Sequence, residues 1–120
     1  MLLKNDSVSL SDSNIAIPLL HEIIDEITVK LISSTIDTAK SVFQICYENK
    51  IPLSSTYRKI KKLQHDGLIS IEKIETDGKG RRVALYRSKI KSLDFNLKKE
   101  SVLLQFEKND SLLSKQYEEK

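Results

Sequence analysis

The sequence has no tryptophan, one cysteine and one methionine, so aromatic and sulfur side chains contribute little and the core falls to Ile, Leu and Val. With Cys46 alone, no internal disulfide can form and no cysteine metal cluster can be built. Glycine is scarce too, at three residues, and two of them fall close together at 78 and 80. That spacing excludes a glycine-rich phosphate loop, and neither a nucleophile elbow nor a Cys/His pair at catalytic spacing is present. An enzyme is therefore not expected, and no cofactor is implied. No apolar run reaches bilayer length, and the opening MLLKNDSVSL lacks the apolar core of a signal peptide. A cytoplasmic protein without membrane contact is the expectation.

What the chain does have is length for one core and an uneven distribution of charge. At 120 residues it can hold one compact domain with arms. The overall +3 conceals a strongly basic middle: Lys50 to Lys91 carries twelve Lys or Arg against four acids, a balance of +8, and the remainder stands at −5. A basic module between acidic flanks is the electrostatic footprint of a nucleic-acid binder. A solvated lysine-rich surface gives the same count, and charge alone leaves both readings open.

Local pattern carries the argument further. Residues 1–14, rich in Ser, Asp and Asn without periodicity, read as a flexible arm. Pro18 suits a first helical position, and Leu20, Ile23, Ile24, Ile27 and Leu31 follow as one amphipathic helix, a break near Asp25 staying open. Ser33, Ser34 and Thr35 close it. A second helix, capped by Asp37 or Thr38, buries Ala39, Val42, Ile45 and Cys46, and ends at Asn49 and Lys50.

The connector 49–53 is short, and Pro52 biases Ile51 away from helix. Ser54 is the expected cap of the next helix, 54–66, in which Thr56, Ile60 and Leu63 share the buried face. Ser55, Tyr57, Arg58, Lys59, Lys61 and Lys62 lie on the other side, and Gly67 supplies a left-handed stop. Alternation then replaces helical spacing, and Asp77-Gly78-Lys79-Gly80 marks a hairpin with a basic tip and a returning strand through Ser88. Further on, Leu93, Phe95 and Leu97 alternate with polar residues, as do Val102, Leu104 and Phe106. A second hairpin is favoured there, with a helix as the competing reading, and Asn109 or Asp110 could cap a last short helix through Tyr117.

The order of helices, short turn, capped basic helix and basic hairpin resembles a winged helix-turn-helix, an α+β fold. IPLSSTYRKIKKLQHDGLI is similar to the recognition segment of bacterial and archaeal regulators of the ArsR, MarR and IclR type, and TAKSVFQICYENK to the helix before it. The likeness spans about Asp25 to Ser88 and is closest to small archaeal regulators. One departure is Thr56, where such segments usually carry Val.

The resemblance implies a DNA-binding domain over 15–91, preceded by the arm and followed by an extension, 92–120, that could serve dimerisation. It further implies a homodimeric transcription regulator of double-stranded DNA, whose helix enters the major groove. There Ser55, Tyr57, Arg58 and Lys61 would face base edges, with Arg58 suited to guanine. Lys59 and Lys62 would meet phosphates, Ser54 would serve the helix cap or a phosphate, and Lys79, Arg81 and Arg82 would contact backbone from the wing. The sequence leaves any small-molecule effector unidentified, and the isolated His21 and His65 disfavour a metal sensor.

Each residue has a plainer reading. Tyr57 can pack against the preceding helix, Arg82 and Arg87 can pair with Glu72 or Glu75 across the hairpin, and Cys46 fits a small core residue better than a redox thiolate. The competing function is a protein-interaction module whose basic helix and wing dock on transcription machinery or another acidic partner.

Overall fold

A computed structural model describes residues 3–4, 7–99 and 101–109. The fold is α+β, with four helices among the described residues, α1 (Ser13–Ile23), α2 (Glu26–Ser34), α3 (Val42–Asn49) and α4 (Leu53–His65). Two antiparallel hairpins follow, β3 (Ile69–Thr76) with β4 (Arg82–Ser88) and β5 (Ile90–Lys98) with β6 (Ser101–Lys108). Two short strands, β1 (Leu3–Lys4) and β2 (Ser7–Leu10), precede the helices. The chain divides into two compact units, one of residues 26–89 and one assembled from both ends, 1–25 and 90–120.

In the unit built from both ends, the strands form one antiparallel sheet in the order β1-β2-β6-β5. α1 packs on β6 and β2. The expected arm therefore contains structure: Val8 stands opposite Phe106 and Leu10 opposite Leu104, and Leu104 and Phe106 are buried. A four-residue strand whose partner lies nearly a hundred residues away has no local signature. α1 also starts earlier than expected, because the Asp12 carboxylate accepts from the Asn14 amide at 3.0 Å and caps the helix at Ser13. Pro18 consequently lies inside the helix, where its missing N–H removes one backbone bond. The helical run breaks at Ile24 and Asp25, the position left open by the sequence.

Of the two readings left for the C-terminal stretch, the structure has the hairpin. Leu93, Phe95 and Leu97 stand opposite Phe106, Leu104 and Val102, so the two alternating apolar triplets meet on one face. β5 begins at Ile90, two residues before the expected boundary at 92, and carries a register shift between Ile90 and Ser92. The proposed last helix, from Asn109 or Asp110 through Tyr117, lies outside the described residues apart from Asn109 itself.

The unit 26–89 is built around Leu31, Ile45, Ile60, Leu63 and Ile69, all essentially inaccessible. α2 closes as its composition suggests: the Thr35 hydroxyl donates to the carbonyls of Leu31 and Ile32 at 3.0 and 3.2 Å, and Ser34 donates to Leu31 at 3.3 Å. α3 starts three to four residues later than the Asp37 or Thr38 cap implied. Lys40 is instead held extended in an antiparallel bridge to Tyr86, with N–H···O distances of 3.0 and 2.7 Å. Ser41 becomes the cap, accepting from the Gln44 amide at 3.1 Å. A pairing to a strand 46 positions downstream decided the boundary, which two adjacent capping residues could not foretell. At its other end α3 stops at Asn49, and Lys50 takes the left-handed conformation at φ 57°.

α4 corrects the expected cap. The helix begins at Leu53 behind Pro52, with no side-chain cap, so Ser54 sits in the first turn and is exposed. The Pro52 carbonyl instead accepts from the Thr56 amide at 3.1 Å and the Thr56 hydroxyl at 2.7 Å. Thr56 is fully buried, and this internal bond is what lets a hydroxyl stand where an apolar side chain would serve. Gly67, at φ 81°, ends the helix in a Schellman arrangement: Leu68 N–H reaches the Leu63 carbonyl at 2.9 Å and Gly67 N–H the Gln64 carbonyl at 3.1 Å.

Candidate nucleic-acid interface

Helical geometry sorts the cations of α4 by direction. Thr56, Ile60 and Leu63 are buried, so the opposite face is centred on Ser54, Arg58, Lys61 and His65, all exposed. Lys62 is exposed at the edge of that face, while Ser55 and Lys59 are half-buried on one flank. Tyr57 lies on the other flank, 51% exposed, which sets aside a purely internal packing role. Arg58 and Lys61 form no ion pair among the described residues, so their charge is directed to solvent.

The hairpin after α4 is closed by a turn over 77–81 that one carboxylate organises. Asp77 Oδ1 accepts from the amides of Lys79 and Arg81 at 2.8 and 2.9 Å, and Oδ2 from the Arg81 guanidinium at 2.9 Å. Those amide bonds, and then the guanidinium, hold the Asp77 carboxyl below its ordinary 3.8. Gly80, at φ 81°, provides the left-handed residue the turn requires. Arg81 is thus partly committed to the turn although largely exposed, whereas Lys79 and Arg82 carry side chains without an ion pair among the described residues.

Arg87 does not belong to the exposed set. Its guanidinium is buried, donating to Glu72 at 2.7 Å and to the Ile36 carbonyl at 2.8 Å. Of the cross-strand pairings open in the sequence, this one is realised, and it removes one cation from the surface charge of the basic stretch. Glu72 sits where the β3–β4 register shifts, between Ile71 and Lys73.

Between the start of α3, Tyr57 of α4 and strand β4 lies an open cleft of about 290 Å³. Ser41, Phe43, Tyr57, Arg82 and Tyr86 line it. Burial raises the Tyr86 phenol above its ordinary 10.0, and Tyr57 beside it adds to the shift. At the surface next to the cleft, Phe43 is 74% exposed and Tyr47, one turn on along α3, 86%. Sequence reasoning did not single out Ser41, Phe43 or Tyr86 as site residues, and no local motif could have done so, since the Lys40–Tyr86 bridge assembles them from separate segments.

Of the ten residues proposed from the sequence, the structure groups Ser54, Arg58, Lys61 and Lys62 on the outer face of α4. Tyr57 borders the cleft with Arg81 and Arg82, and Lys79 stands at the hairpin tip. Ser55 and Lys59 turn partly inward. Among the described residues, no helix is long and apolar enough to cross a membrane. No protein-family model matches the chain, and no curated protein is significantly similar in sequence.

Proposed function

We propose that the unit 26–89 is a winged helix-turn-helix domain of a transcription regulator that binds double-stranded DNA, with α4 in the major groove and the β3–β4 hairpin as its wing. The observation that carries this reading is the outer face of α4, where Arg58 and Lys61 are exposed, without an ion pair among the described residues, at the centre of a surface rimmed by Ser54 and Lys62. A major groove admits a helix, and an arginine fork matches the paired acceptors of guanine. Lys79, Arg81 and Arg82 at the hairpin supply phosphate contacts, which add affinity without sequence preference. By charge, this unit carries thirteen Lys or Arg against seven acids, a balance of +6, while the other unit stands at −3.

Selection of bound duplexes from a random pool, followed by titration of the best one, tests the proposal. Arg58→Ala should cost about 1–3 kcal/mol of binding to the selected duplex and relax the preference at one base pair. Lys79→Ala should weaken all duplexes alike and lower the salt slope by about one. Unchanged binding in both Arg58→Ala and Lys61→Ala would remove the major-groove reading.

A second reading, docking on an acidic protein partner, draws on Phe43 and Tyr47, since large exposed aromatics next to cations are what interfaces favour. It predicts that Phe43→Ser and Tyr47→Ser together abolish partner binding while leaving the DNA titration unmoved.

A further inference from the structure

Among the described residues β5 is the edge of its sheet: it pairs with β6 on one side and with no described strand on the other. It is nine residues long, and Asp94 to Lys98 are all exposed. Two of those exposed residues are large and apolar, Phe95 at 45% and Leu97 at 72%. A long edge strand bearing apolar side chains is normally blunted or covered, because its free N–H and C=O groups template further pairing.

We infer that this edge pairs with the same edge of a second copy of the chain, antiparallel, about a twofold axis at Asn96. The strand's own sequence selects both partner and register. Leu93, Phe95 and Leu97 share the face that carries Leu104 and Phe106 opposite them on β6, and Asp94, Asn96 and Lys98 share the other. A twofold normal to the sheet keeps each face on its own side, so apolar residues meet apolar residues only when odd positions oppose odd. Within that restriction Asp94 can meet a cation of the strand in one way, opposite Lys98, because Lys91 stands at an odd position, inside the register shift.

The register that follows sets Asp94 against the partner's Lys98, Phe95 against the partner's Leu97, and Asn96 against itself, each heterotypic pair occurring twice. Neither Asp94 nor Lys98 has an ion-pair partner among the described residues, so both charges are free to make the contact. Backbone geometry agrees. The β5–β6 turn has two residues between Lys98 and Ser101, which makes that flanking pair the hydrogen-bonded one, and alternation then directs the backbone groups of Phe95 and Leu97 outward. Those are the residues that oppose each other in the proposed register. Asn96 falls at a non-hydrogen-bonded position, where facing Cα atoms approach to about 4.5 Å. The inference stands on this sheet alone and is independent of what α4 contacts.

The test uses the full chain. Sedimentation equilibrium should give a mass near twice 13.7 kDa. Asp94→Lys and Lys98→Asp, each placing like charges opposite each other twice, should each weaken the dimer roughly tenfold or more, and the combined exchange D94K/K98D should restore it. In a C46A background, Asn96→Cys should cross-link to a disulfide dimer under mild oxidation, because the facing separation lies within disulfide reach. Circular dichroism of each variant, matching the parent, verifies that folding is intact. A monomer at all concentrations overturns the inference. So does a dimer that neither single charge reversal weakens and in which Asn96→Cys fails to cross-link. Because the readout is mass and cross-linking, failure here leaves the DNA titrations standing, and failure there leaves this dimer standing.

Discussion

Arg87 illustrates how single residues in this chain divide between holding the fold and facing outward. Its guanidinium and the Glu72 carboxylate are both over nine-tenths buried and 2.7 Å apart, so neither charge can turn to water if the other is removed. A buried pair gains little over an apolar replacement, but a half-pair leaves a desolvated charge. Glu72→Ala should accordingly lower stability by about 3 kcal/mol in urea unfolding. Glu72→Leu combined with Arg87→Met should recover much of that loss, although the bond from Arg87 to the Ile36 carbonyl would go with it. A single-variant effect no larger than an exposed ion pair's would show that water reaches the site. Arg58 has no ion-pair partner among the described residues to leave behind: its replacement should leave the unfolding midpoint unmoved while changing DNA affinity, which separates binding from stability at one residue.

At the scale of elements, the turn of the β3–β4 hairpin depends on the ionised state of Asp77. Its carboxyl is held below 3.8 by the Arg81 and Lys79 amides, so the stabilising contribution is complete above about pH 3.8 and is lost as pH falls through the lower folded value. The Lys79 and Arg81 amide proton resonances should therefore titrate together with a midpoint below 3.8, and Asp77→Asn, which keeps an acceptor but no charge, should abolish the step. A midpoint at or above 3.8 would contradict the bonding described. This turn was legible in sequence because Asp77, Gly78 and Gly80 act within five residues, and the end of α4 was legible for the same reason in Gly67. Thr56, Ile60 and Leu63 were equally readable from helical spacing. The elements that escaped are those whose boundaries depend on distant pairing. α3 starts at Val42 because Lys40 bonds to Tyr86, and β2 exists because β6 arrives from the far end of the chain. Ser54 was misread by a different route: a good capping residue stood one position inside a helix that Pro52 had already begun. The outward set at the candidate site was partly legible, since helical spacing alone gives Arg58 and Lys61, whereas the cleft behind Tyr57 needed the bridge to be seen.

For the whole molecule, the division into units has a consequence in sequence order. Residues 26–89 are continuous, whereas the other unit needs both termini, so the basic unit can be separated by shortening the chain at each end and the acidic one cannot. A unit of this size sits near the lower limit at which one core sustains a fold, but it keeps its own core residues, including Leu31, Ile45, Ile60, Leu63 and Ile69. It also keeps the Lys40–Tyr86 bridge, the bond from Ser88 N–H to the Thr35 carbonyl and the Arg87–Glu72 pair, all internal to 26–89. A polypeptide limited to these residues should unfold in one cooperative transition, with lower stability than the parent. Its charge rises from +3 to +6 on removal of the acidic unit, so non-specific duplex binding at low salt should become tighter. The salt slope should stay close to the parent's per bound unit, because the cations proposed to meet phosphates all remain. The edge strand β5 is absent from this polypeptide, so it should sediment as a monomer and bind a duplex of two half-sites without cooperativity between them. If the shortened chain folds and still dimerises, the self-association surface lies in 26–89 and β5 is not its source; if it folds but no longer binds DNA, the cations of α4 and the wing are not sufficient for the interface proposed.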